Sequence, residues 1–129
     1  MNKIFKTIVL IAGILNFPIG IMMIVQAISS KTGEALITNS VAGAFIIFAG
    51  ASLIWAIQEV NTRAPIILWN GFVRLFNVFL VSYATTVGDV PQEMIYTTGM
   101  DLVLAIVFII GSVKVTGIPF SKLIVGRTN

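Results

Sequence analysis

With 57% hydrophobic and 10% charged residues among 129, and a mean hydropathy of +1.03, the chain is too apolar for a water-soluble domain and reads as an integral membrane protein. It has no cysteine and no histidine, which excludes disulfides, thiolate redox chemistry, imidazole ligation of haem or zinc and a histidine general base. A pI near 9.6 does not imply nucleic acid here, because the eight basic residues form no run.

A membrane-crossing helix needs about 20 mostly apolar residues, and four such stretches are predicted at residues 7–28, 38–57, 65–84 and 94–113. Residues 1–129 read as a single integral membrane domain, all-α, with a tail at 114–129. Short connections make neighbouring spans antiparallel, so the expected architecture is a four-transmembrane-helix up-down-up-down bundle.

The first apolar run follows Lys3 and Lys6, and Val25-Gln26-Ala27 resembles a cleavage site, but the run is too long for a signal peptide and is expected to be a retained span. Pro18 is expected to kink it near Asn16 and to free a carbonyl. Ala12, Asn16 and Gly20 recur every four residues, and in the second span Ala42, Ala49 and Ala56 recur every seven with Gly43 and Gly50 beside them. Such small residues allow close helix approach, here read as packing within the chain rather than an oligomer face. At the end of the second span, Glu59 and Arg63 have the i, i+4 spacing of a solvated surface pair. The turns SSKTGE, 29–34, and TTVGDVPQE, 85–93, carry Gly and Pro in turn positions, with Gln26, Asn39, Asp89 and Glu93 as a solvated rim. A shift of 58 residues lays 8–17 on 66–75, matching Gly13 to Gly71 and Asn16 to Arg74. Few identities survive beyond it, so chance matching among apolar residues accounts for it better than a duplicated two-helix unit.

Lys3, Lys6, Arg63, Lys114, Lys122 and Arg127 fall on one side of the four-span layout, opposite Lys31 and Glu34. By the positive-inside rule both termini are cytoplasmic, as in a multi-pass protein of the bacterial inner membrane. Trp55 and Trp69 lie toward the inner interface, Tyr83 and Tyr96 toward the outer one. The tail, with IPFSKLIV between basic residues, either lies along the inner leaflet or forms a short disordered extension.

The third span contains NGFVRLFN, residues 70–77. Counted from Pro65 at 1.5 Å per residue, Arg74 lies roughly 13 Å into a hydrocarbon core of about 30 Å, too deep to snorkel freely. Asn70, Arg74 and Asn77, at i, i+4 and i+7, share one helix face. Asn16 lies at similar depth in the first span, and Asp101 in the fourth is about 6 Å from Arg74 along the membrane normal. The expected result is a buried Asn/Arg/Asp cluster in which Arg74 pairs with Asp101 while Asn16, Asn70 and Asn77 accept from its remaining donors.

The segments ARPIILWNGFVRLFNV, 64–79, and MDLVLAIVFIIG, 100–111, resemble small bacterial four-span proteins of the broad DoxX-like type, with an arginine in the third span and an acidic residue opening the fourth. That resemblance, over the C-terminal half, implies a small membrane accessory protein. Small multidrug transporters rely on a first-span glutamate where this chain has Asn16, and vitamin K epoxide reductase relatives require cysteines. The expected function is a non-enzymatic accessory or interaction subunit without cofactor or metal. Its partners are the lipid bilayer and another membrane protein or a second copy, not nucleic acid. The alternative is a small transporter or lipid- and ligand-binding protein using Arg74 and Asp101. An intramembrane enzyme would need its chemistry supplied by a cofactor or partner.

Overall fold

A computed structural model describes residues 2–129. The chain is all-α: α1 spans Asn2–Ile28, α2 Gly33–Ala56, α3 Val60–Val87, α4 Gln92–Thr116 and α5 Phe120–Leu123, with a 3-10 turn at Ile57–Glu59. Three continuous helical stretches are long and apolar enough to cross a membrane: Asn2–Ile28, Gly33–Val87, which includes α2, the 3-10 turn and α3, and Gln92–Thr116.

Each helix outruns its apolar core, because the flanking polar residues serve the helix itself. Thr32 caps α2, its hydroxyl accepting from the Ala35 N–H at 3.2 Å. Ser82, Thr85, Thr86, Thr97 and Thr98 donate their hydroxyls to carbonyls three or four residues earlier, so the ends of α3 and α4 beside their connecting turn satisfy their polar groups without unwinding. Residues 58–64, expected as a connecting loop, are 3-10 and α-helical. Pro65 therefore lies inside α3 rather than at its start, and Pro18 is likewise held within a continuous α1.

The chain divides into two compact units, one of Lys6–Gln58 and one of the residues up to Phe5 with Glu59–Asn129. In the first unit α1 and α2 pack antiparallel through paired glycines. A methyl group added to Gly20 would fall 2.5 Å from the Gly43 carbonyl oxygen, and one on Gly50 would fall 2.5 Å from the Gly13 oxygen and 2.8 Å from Asn16 Cβ. The backbones thus approach as closely as Cα–H···O contacts allow, which only glycine permits. The glycines beside the alanine stripe make the closest contacts of the seam, and Ala12 and Ala56 are buried as well.

In the second unit α3 and α4 pack antiparallel, with Gly71 against Phe108, Ile109 and the Ala105 carbonyl, and the Phe5 ring packs on Gly111. Its core comprises Val60, Ala64, Ile67 and Leu68 of α3, Ala105, Phe108 and Ser112 of α4, and Leu123. Among the described residues, none of α3 beyond Gly71 and none of α4 before Ala105 is buried. The pair is thus covered over one half of its length, the tight half, and left open over the other, the loose half.

The 58-residue shift matches contacts as well as residues. It carries Gly13 to Gly71, Asn16 to Arg74 and Gly50 to Phe108. Gly13 and Asn16 both lie on Gly50, while Gly71 and the Arg74 guanidinium both lie on Phe108. The two helix pairs thus share a register at these positions.

Candidate functional site

The polar cluster sits where the tight half of α3 and α4 gives way to the loose half. Arg74 is residue 15 of the 28 in α3 (74 − 60 + 1), so it stands at the helix centre. Helical spacing places Asn70 one turn before it and Asn77 about one turn after it on the same face. The antiparallel register brings Asp101 of α4 level with Asn77, one turn from Arg74, a gap that an arginine side chain spans.

Arg74 Nη1 donates to Asp101 Oδ1 at 2.7 Å, and Arg74 Nε donates to Asn70 Oδ1 at 3.2 Å. Asn77 Nδ2 donates to Asp101 Oδ2 at 2.9 Å, so both carboxylate oxygens are engaged. The guanidinium carbon lies 5.5 Å from the Phe108 ring centroid, within cation–π range. The two contacts to the carboxylate are charge-assisted, which makes them stronger than neutral hydrogen bonds.

The expected ion pair and the Arg74–Asn70 bond are present. Two expectations change. Asn77 serves the carboxylate rather than the arginine, because it lies level with Asp101. Neither Arg74 nor Asp101 is buried: their side chains keep 14% and 20% of their exposure, since no core residue covers the loose half. Asn16, in the other compact unit, is buried with its Cβ against Gly50 and is engaged rather than free. Among the described residues, no fully covered side-chain nitrogen or oxygen lacks a hydrogen-bond partner, and no three metal-ligating side chains gather.

The rim of the cluster is apolar. Val73, Phe76, Phe79 and Leu80 of α3 and Met100, Val103 and Ile106 of α4 are all exposed, which in water would be a large hydrophobic patch. Tyr83 and Tyr96 stand exposed at the loose end of the pair, and Trp69 toward the other.

At the tight end, the sequence reading missed a contact. Trp69 Nε1 donates to the Ile124 carbonyl at 3.0 Å, and Phe72 meets Phe120 edge-on with centroids 5.8 Å apart. The tail is therefore folded back onto α3 instead of extending freely. VTGIP, residues 115–119, carried the signal: glycine followed two residues later by proline marks a helix stop and a change of direction.

No protein-family model, curated protein or solved structure matches this chain. The DoxX-like pattern in residues 64–79 and 100–111 thus rests on those residues alone.

Proposed function

We propose that the chain crosses the bacterial inner membrane four times as an up-down-up-down bundle, with both termini cytoplasmic, and acts as a non-enzymatic accessory or interaction subunit. Four crossings are supported by length. A straight helix of the 55 residues from Gly33 to Val87 would measure about 83 Å, roughly twice the thickness of a bilayer with its headgroups. The backbone leaves helical geometry at Glu59, with φ −141° and ψ 71°, which supplies the break between two spans.

The observation that carries the accessory reading is that the charged pair is already partnered within the chain. Asp101 has a donor on each oxygen, and Arg74 has acceptors on Nε and Nη1. A charge pair held across two helices fixes which of their faces meet. The partly open ion pair favours a second reading, in which a polar or anionic molecule enters from the loose half and takes over the Arg74 donors.

One comparison separates the two. Purified wild type, Arg74→Ala and Asp101→Asn are reconstituted in liposomes and assayed for proton and anion flux, and for thermal stabilisation by added anions. The accessory reading expects no flux from any of them and no anion-dependent stabilisation. Flux or stabilisation present in wild type and lost in both variants would overturn it in favour of the second.

A further inference from the structure

The segment after α4 is built as a latch. Gly117 takes the left-handed conformation, φ 68°, and donates its N–H to the Val113 carbonyl, closing α4; Pro119 then opens α5. Leu123 is fully buried, and the Trp69 and Phe72 contacts pin the segment to α3. Gly126, at φ 78°, permits a second reversal in which the Arg127 N–H meets the Lys122 carbonyl at 2.9 Å.

The latch and the last turn of α4 expose apolar and cationic side chains together: Phe120, Val125, Lys122 and Arg127 of the latch, and Lys114 of α4. Lys122 Nζ makes one long bond of 3.4 Å to the Asn129 carbonyl. Among the described residues Lys114 and Arg127 have no ion-pair partner, and the nearby Glu59 is taken by Arg63 at 3.3 Å. The register that sets Gly71 on Phe108 and Asn77 on Asp101 places Lys114 at the level of Arg63, at the end of the apolar band. Fixed cations beside exposed apolar side chains at such a boundary complement a phosphate that is joined to acyl chains.

We propose that residues 114–127 form a docking site for anionic phospholipid headgroups. Lys114, Lys122 and Arg127 hold the phosphate, and Phe120 and Val125 enter the acyl boundary. The site rests on the reading that α3 and α4 cross a bilayer. The apolar pair selects a lipid over free phosphate, and the pinning by Trp69 and Leu123 means that little chain entropy is lost on binding.

Trp69 is a built-in reporter. A Trp55→Phe background leaves it as the one tryptophan. This protein is reconstituted into phosphatidylcholine vesicles containing either brominated phosphatidylglycerol or brominated phosphatidylcholine, and quenching is compared. The expected result is a preference for phosphatidylglycerol of about fivefold. It should vanish in the triple variant Lys114→Gln, Lys122→Gln, Arg127→Gln, persist in Lys114→Arg, Lys122→Arg, and collapse near 1 M salt, where the screening length falls to about 3 Å. Equal quenching by the two lipids, or a preference that survives both the triple variant and high salt, overturns the proposal. Loss of the preference on adding inorganic phosphate at matched ionic strength overturns it too, by assigning a free-anion site. Absence of quenching by either lipid refutes the bilayer reading itself.

Discussion

Replacing Asp101 by asparagine keeps the shape of the cluster and removes one charge. In the native arrangement Asp101 accepts from Arg74 at 2.7 Å and from Asn77 at 2.9 Å. An asparagine keeps one acceptor oxygen for Arg74 and turns the other position into a donor, which Asn77 meets by turning its amide over to accept, so the change removes the charge rather than a hydrogen bond. At about 4 Å between charge centres and an effective dielectric near 20, the Coulomb attraction is about 4 kcal/mol before desolvation. Desolvation offsets much of this, and interhelical polar contacts in membranes measure about 0.6 kcal/mol on average and about 1.7 at most. A charge-assisted pair belongs at the upper end, which gives a coupling of about 1–2 kcal/mol. The single substitution also leaves Arg74 charged without its counter-ion. For a fully buried pair that costs about 3–5 kcal/mol, and the residual exposure of 14% and 20% lowers the expectation for Asp101→Asn to about 2 kcal/mol. The assay is reversible unfolding by sodium dodecyl sulfate in mixed micelles, on wild type, Asp101→Asn, Arg74→Gln and the double variant. Each single variant should lose about 2 kcal/mol and the double about 1–2 kcal/mol less than their sum. Strict additivity would mean that the two side chains do not stabilise one another, and the structural account of the cluster would fail.

Three further predictions follow from the packing and the topology. Gly20→Ala, whose methyl would meet the Gly43 oxygen at 2.5 Å, should destabilise by about 1–2 kcal/mol in the same assay. Gly99→Ala, in α4 with nothing within 4 Å, should be neutral or stabilising by up to about 1 kcal/mol, and a shared sign would contradict the paired-glycine seam. Trp69→Phe removes the bond to the Ile124 carbonyl and should cost about 1 kcal/mol while raising proteolysis of residues 117–129; unchanged proteolysis would count against the latch. Because the chain has no cysteine, single cysteines at Ser30, Asp89 and Asn61 report topology cleanly. An impermeant maleimide should label Ser30→Cys and Asp89→Cys in spheroplasts and Asn61→Cys only after lysis, and the opposite pattern would reverse the orientation.

The helices were legible because about 20 apolar residues in a row leave the backbone one economical way to hydrogen-bond. Their ends were not, because polarity was taken as a sign of loop. Thr85, Thr86, Thr97 and Thr98 are polar and helical at once, each hydroxyl being satisfied by a carbonyl of its own helix. Pro65 misled in the same way. A proline forbids an N–H donor but not a helix, and here it is carried within α3 after a 3-10 turn. The Arg74–Asp101 pair was legible because depth can be counted along each helix and an arginine tolerates a turn of error. Asn77 was not, since a short side chain takes whichever partner is level with it.

The two hairpins also show why the ionic site belongs to the second. Where the first has Asn16 on a bare Gly50, the second has Arg74 over the ring of Phe108. Glycine at position 50 lets α1 and α2 close to backbone contact, with Asn16 Cβ against it. Phenylalanine at position 108 gives a guanidinium a surface to lie on. The missing core beyond Gly71 then leaves Arg74 room to reach one turn outward to Asp101. One packing position, glycine in one hairpin and phenylalanine in the other, thus distinguishes a helix pair closed on its backbones from a helix pair whose apolar core is joined by an ion pair.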